Sequence, residues 1–143
     1  VAAARVEEWS ALADERSVRL VGEPGSEATT VLAVDGAVEQ MIDNLVDNAL
    51  EVSPEGATIT VRVIAGGDGA SELHVVDEGP GLDDEARAQA FDRFWRAADA
   101  PTGGSGLGLA IVSELARAGG GDAELRRSPG GGIDAVVTFP RPR

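Results

Sequence analysis

Asn44 and Asn48 stand one helical turn apart in the stretch Gln40–Leu50, beside a second pair at the same spacing, Asp43 and Asp47. Asparagine is a mediocre helix former, so two on one helix edge call for a reason. Their carboxamide oxygens are neutral acceptors, suited to a hard cation that already holds phosphate oxygens. A merely polar helix face is the plain alternative. Further on, Asp77 ends an apolar strand and leads into Glu78-Gly79-Pro80-Gly81. An ionised carboxylate there is costly unless it meets a donor, and the exocyclic amino group of a purine is one. Gly79 and Gly81 let backbone approach a flat ring, or simply serve a type II turn. Finally, Gly103-Gly104-Ser105-Gly106-Leu107-Gly108 opens directly into a helix. Free amides at a glycine-lined helix N-terminus cradle anions, although a glycine-rich hinge would read the same way. A Walker loop needs a lysine, which this chain lacks, and the spacing of Gly104, Gly106 and Leu109 breaks the dinucleotide fingerprint.

Between the second and third stretches lies Phe91-Asp92-Arg93-Phe94-Trp95-Arg96. Its aromatics could anchor the base of a lid while Arg93 or Arg96 turns toward phosphate; either arginine could equally pair with Asp92 or Asp99. His74, the only histidine, alternates with Leu73 and Val75 in a strand and reads as a structural or surface residue. No Ser-His-Asp set and no His/Cys cluster for zinc can be assembled around it.

These residues need elements to position them. Val38, Met41, Ile42, Leu45, Val46, Ala49 and Leu50 form an apolar stripe on a helix spanning 36–52, with Asp35 as its N-cap and Ser53-Pro54-Glu55-Gly56 as its stop. An amphipathic helix over 1–16 carries Val6, Trp9 and Ala13 on one face and starts without a cap, as a piece of a larger protein would. Strands are expected at 17–21, 29–34, 58–64 and 71–76, the last two joined at Gly66-Gly67-Asp68-Gly69. Helices follow at 83–90 and 106–118, the latter with Leu107, Ile111, Leu115 and Ala118 on one face. A hairpin of 124–127 and 133–139 around Ser128-Pro129-Gly130-Gly131-Gly132 closes the chain, with Ile133, Ala135, Val137 and Phe139 pointing inward. Helices grouped between hairpins predict an α+β fold: a two-layer α/β sandwich whose mixed, mostly antiparallel sheet is covered on one face by helices.

A chain of 143 residues makes one domain with a full core. A net charge of −13 leaves no basic patch for nucleic acid or an anionic membrane. All twelve basic residues are arginine, so any cation that meets a bound anion is arginine or metal.

Taken in order, the motifs resemble those of the catalytic ATP-binding domain of bacterial sensor histidine kinases, in the superfamily shared with gyrase, the heat-shock chaperone ATPase and mismatch-repair ATPases. The likeness runs from about residue 5 to Pro140. Asn44-Leu-Val-Asp-Asn48-Ala matches the N box, Asp77-x-Gly79-x-Gly81 the first glycine box, Phe91–Arg96 the phenylalanine box and Gly104-Ser-Gly106-Leu-Gly108-Leu the second glycine box. The resemblance implies that Asn48 ligates Mg²⁺ on the ATP phosphates with Asn44 beside it. It implies that Asp77 receives the adenine amino group between Gly79 and Gly81, and that 83–105 form a lid. Gly104, Ser105, Gly106, Leu107 and Gly108 would hold phosphate, with Arg93 and Arg96 as further ATP contacts. ATP and Mg²⁺ are thus the expected cofactors. The expected partners are a separate phosphoacceptor histidine domain and, through it, a response regulator, in a cytoplasmic domain of a membrane-anchored homodimer.

Hydrolysing relatives carry a Glu one turn before the magnesium Asn. Asn44 stands there in this chain and cannot act as a general base, so the resemblance implies phosphoryl transfer to an external histidine over hydrolysis. The chain departs from the family at Glu51 and Val52, where a basic and an aromatic residue are usual. It departs again at Gly119-Gly120-Gly121, where His-Gly-Gly is frequent, and at Ile133, where Thr is common. Those departures support a second reading, a kinase-like binding module with weak nucleotide affinity; a gyrase-type hydrolase is third.

Overall fold

The computed structural model describes residues 2–22, 36–65, 70–81, 83–89, 108–129 and 131–140. In chain order the elements are α1 (Ala2–Glu15), β1 (Arg19–Gly22), α2 (Ala37–Val52), β2 (Thr58–Ala65), β3 (Ser71–Val76), α3 (Asp84–Gln89), α4 (Gly108–Ala118), β4 (Asp122–Arg127) and β5 (Ile133–Phe139). The strands form one sheet in the order β1-β2-β3-β5-β4. The β1–β2 pair is parallel and the other three are antiparallel. The α+β sandwich expected from the sequence is therefore the fold. The strand expected at 29–34 lies outside the described residues.

The core follows from two periodicities that meet. Along α2, Ala37, Met41, Ile42, Leu45, Val46, Ala49 and Leu50 are buried. They face Ile59, Val61, Leu73, Val75, Ile133, Ala135, Val137 and Phe139, every second residue of three strands. Each large side chain fully buried there contributes roughly 1.5–3 kcal/mol over leaving it in water. The α2 stripe agrees with its expected members, except that Val38 sits half-buried at the margin while Ala37 is inside. At the helix start the cap position is taken by Gly36, with φ 76° and no side-chain capping bond, in place of the expected Asp35, which lies outside the described residues.

The inward face of α4 differs from expectation. Ala110, Val112, Ser113 and Ala116 are buried and Leu109 and Leu115 lie against the core, whereas Ile111 is half-buried and Ala118 exposed. The expected face agrees at Leu115 and departs at Ile111 and Ala118, because α4 packs closely on α2 and the small residues Ala110, Ser113 and Ala116 suit that contact.

Helix α1 docks through Val6, Trp9 and Leu12, and Trp9 Nε1 donates to Asp43 Oδ1 at 2.8 Å. This bond joins α1 to α2 one residue before Asn44. Trp9→Phe is expected to lower stability by about 1–2 kcal/mol, the worth of a partly buried hydrogen bond to a charged group. Thermal unfolding would register it as a melting point lower by a few degrees.

Candidate functional site

Three residues at helical spacing, Asn44, Asn48 and Val52, lie along one edge of α2. At 1.5 Å of rise per residue this row is about 12 Å long, comparable to the span from base to terminal phosphate in an extended nucleoside triphosphate. At one end, Asn44 lies beside the first residue of α4: a Cβ built on Gly108 would sit 3.7 Å from Asn44 Oδ1. The positive end of an eleven-residue helix thus opens next to a carboxamide. Asn44 Nδ2 is buried and, among the described residues, has no hydrogen-bond partner. Such an orphan costs about 1–3 kcal/mol unless a ligand atom meets it. Which amide atom faces inward is interchangeable, so the same position offers either a donor to phosphate or an oxygen to a cation.

At the other end of the row, Val52 closes on the turn after β3. A Cβ on Gly79 would come within 2.8 Å of the Val52 carbonyl oxygen and 3.0 Å of its Cγ2. Val52 nonetheless remains 42% exposed, an apolar side chain left open beside Asp77.

Asp77 is 6% exposed and, among the described residues, held by backbone amides. Its Oδ1 accepts from the Gly79 amide at 3.0 Å and from the Ile133 amide at 3.1 Å, while its own amide donates to the Ile133 carbonyl at 2.9 Å. Among the described residues both bonds to the carboxylate reach Oδ1, and Oδ2 is the oxygen that could accept from an amino group. Burial raises the Asp77 carboxyl above the ordinary aspartate value, and the bonds from Ile133 and Gly79 oppose that shift. The sign has a consequence for binding. An acid with a raised pKa takes up its proton at higher pH than a free aspartate, and protonation converts an acceptor into a donor. Purine nucleotide affinity is therefore expected to fall on acidification while ordinary carboxylates are still ionised; calorimetric titration at decreasing pH checks this.

The glycines have a reason besides access for a flat ring, because they admit other backbone. Gly81 takes φ 75°, and a Cβ there would strike the Gly131 carbonyl oxygen at 2.3 Å. Gly132, read from the sequence only as part of a hairpin turn, lies over Asp77: its Cβ would fall 2.3 Å from the Asp77 carbonyl oxygen and 2.6 Å from Oδ1. Gly132 and the main chain of Ile133 are thus positions of the candidate site that sequence reasoning missed. The only available signal was three consecutive glycines placed immediately before a strand.

The structure brings Asn44 to Gly108 and Asp77 to Gly79, Gly81 and the far end of α2. Arg93, Arg96, Gly104, Ser105, Gly106 and Leu107 lie outside the described residues, as does most of the expected lid; its first part, α3, lies against β4.

Residues 33–143 match the family model described as histidine kinase-, DNA gyrase B- and HSP90-like ATPase. A sensor histidine kinase component, HK1 of Mycobacterium tuberculosis, is 39% identical over 107 residues, covering 74% of this chain and 62% of that protein. Among solved structures, the mycobacterial sensor histidine kinase MprB superposes with a TM-score of 0.79 at 28% identity, covering 99% of this chain and 97% of that one. Full-length ShkA in complex with AMPPNP superposes with a TM-score of 0.81 at 31% identity, covering 96% of this chain and 28% of that one. The chain spans less than two-thirds of the length of the first curated relatives it matches. With four motifs in register, the same sandwich and these relatives, the chain belongs to the histidine kinase-, DNA gyrase B- and HSP90-like ATPase family, and within it to the catalytic domains of sensor histidine kinases.

Proposed function

We propose that this domain binds ATP with Mg²⁺ along the α2 edge and donates the γ-phosphoryl group to a histidine on a separate phosphoacceptor domain. The observation that carries the reading is the row Asn44–Asn48–Val52, with a helix N-terminus at one end and a buried, amide-clamped carboxylate at the other. Asp77 Oδ2 accepts the purine amino group, and Val52 supplies apolar surface beside the base. Asn48, with Asn44 beside it, would hold Mg²⁺, and the Asn44 amide, unpartnered among the described residues, fits a site completed by a phosphorylated ligand. Mg²⁺ supplies charge neutralisation on the transferring phosphoryl group. The chain's own share is orientation: it fixes the base at one end of α2 and presents helix amides to phosphate at the other. With Asn44 where hydrolysing relatives carry an acid, no side chain there takes a proton from water.

In the intact protein the partner of this domain would be a phosphoacceptor helix in a homodimer that passes the group to a response regulator, on the cytoplasmic side of an anchoring membrane. Among the described residues no helix is long and apolar enough to cross a membrane.

Titration with a fluorescent ATP analogue, with and without Mg²⁺, tests binding; no signal at millimolar nucleotide sinks it. Adding the separate phosphoacceptor domain and labelled ATP tests transfer, with label on histidine as the expected result. Phosphate release by the isolated domain, abolished by Asn48→Ala, would favour a hydrolase instead.

A second reading, a docking module with little nucleotide affinity, is favoured by Glu51 and Val52, both exposed at the end of the row. The double substitution Glu51→Lys with Val52→Tyr adds a cation and a stacking ring at the base end. It is expected to tighten ATP binding about tenfold or more; an unchanged Kd would show that these positions do not limit affinity.

A further inference from the structure

On the face of the sheet opposite α2, His74 is buried between two carboxylates. Its Nδ1 lies 2.9 and 3.1 Å from the two oxygens of Asp134 on β5, and its Nε2 lies 3.0 Å from Oε1 of Glu72, two residues away on β3. Only 4% of His74 is exposed. Ionised carboxylates only accept, so both ring nitrogens must donate for both contacts to be hydrogen bonds, which requires the imidazolium. The surrounding charges complete the set. Arg126 on β4 reaches Glu72 at 3.5 Å and Glu124 at 2.5 Å, and Arg62 on β2 is the register partner of His74. Among the described residues, protonated His74 shares this face with Arg62 and Arg126 and with the carboxylates Glu72, Glu124 and Asp134, and loss of its proton removes one of those positive charges.

Asp134 is also the residue that follows Ile133, whose amide and carbonyl hold Asp77. β5 therefore enters the sheet gripped twice: Ile133 by Asp77 at the strand end, and Asp134 by His74 from the outer face. We propose that His74 is a positioning residue for base recognition, whose imidazolium pins the start of β5 to β3 and so keeps the Ile133 amide on Asp77. When the ring loses its proton, one carboxylate contact loses its hydrogen bond, the entry of β5 loosens and Asp77 is aimed less well. The inference rests on reading Asp77 as the purine contact, and it deepens that reading by adding control by pH from the far side of the sheet.

As the only histidine in the chain, His74 gives one assignable ring signal, and its titration can be followed by NMR together with the backbone amide of Ile133 in nucleotide-free protein. The expected result is that the ring and amide signals move together over one pH interval. The Kd for the fluorescent ATP analogue should weaken about three- to tenfold over the same interval. Asp134→Asn is the informative variant, because an amide donates to Nδ1 and lets the neutral ring keep both partners. It should abolish the coupled Ile133 shift and flatten the Kd profile to within twofold, after division by the nucleotide's own phosphate titration measured in the same series. His74→Gln should likewise be flat, with affinity at the wild-type alkaline value. An Ile133 amide that ignores the ring titration, or an Asp134→Asn profile as steep as wild type, overturns the proposal. Coupled ring and amide shifts in a domain that binds no nucleotide would support the grip on β5 and sink the nucleotide reading instead.

Discussion

Asp77→Asn is expected to weaken ATP binding about 10–100-fold while the domain melts no lower than wild type. The substituted amide keeps an oxygen for the Gly79 and Ile133 amides, so the turn after β3 retains its anchor. The other atom becomes an NH₂ that meets the purine amino group donor to donor. A hydrogen bond to a charged acceptor is worth about 1.5–3 kcal/mol, and each 1.4 kcal/mol is tenfold in Kd. Stability should move the other way or not at all. Because burial holds the Asp77 pKa above the unfolded value, the folded state binds the proton more tightly, so stability declines as pH rises from the ordinary aspartate range through the raised value. At neutral pH the wild type carries the desolvation cost of that charge and the asparagine variant does not. Calorimetry and thermal unfolding of the same samples separate the two effects. Unchanged ATP affinity, or a wild type that binds ATP and GTP equally, would remove Asp77 from base recognition.

Gly132→Ala is the second large effect, and it acts through space alone. The added methyl would lie 2.3 Å from the Asp77 carbonyl oxygen and 2.6 Å from Oδ1, against backbone on one side and a doubly bonded carboxylate on the other. Neither can rotate away, so the start of β5 must shift. Overpacking of this kind costs about 2–3 kcal/mol, and the shift breaks the Ile133–Asp77 bond, so ATP affinity should fall at least tenfold. Gly131→Ala is the matched control. Its φ of 98° strains an alanine by about 1–2 kcal/mol, yet among the described residues nothing lies within 4 Å of its Cβ. It should lower the melting temperature with ATP affinity within about twofold of wild type. Equal losses of affinity in the two variants would mean that turn strain, not contact with Asp77, sets the effect.

The α2 stripe and the alternation of β5 were legible because burial imposes a strict period on them: a helix losing one face, or a strand losing every second residue, to the core leaves a pattern readable without coordinates. Asn44, Asp77, Gly79 and Gly81 were legible because carboxamides in a helix and a carboxylate before glycines are unusual choices for structure alone. Gly132 was not, since a glycine that yields space to another backbone looks the same in sequence as one that only turns a corner. Nor was the Trp9–Asp43 bond, between residues 34 positions apart on two helices whose docking no local pattern encodes. His74 was read from its alternation as structural or surface. Its burial between Asp134 and Glu72 depends on the register that sets β3 against β5, in which His74 faces Val136 and lies diagonal to Asp134. The α4 face departs from its expected stripe at Ile111 and Ala118, because how closely two helices approach each other leaves no local pattern.

The sheet's two rims bear on how this protein behaves when crowded with its own copies. Among the described residues the sheet ends on β1, of four residues, and on β4, which exposes Asp122, Glu124, Arg126 and Arg127 along its six. A short rim and a charged rim are poor templates for strand addition by a neighbouring molecule. A surplus of thirteen negative charges adds long-range repulsion between copies, which salt weakens. Strand addition along β4 is thereby discouraged, because a neighbouring copy would have to pair against a charged border.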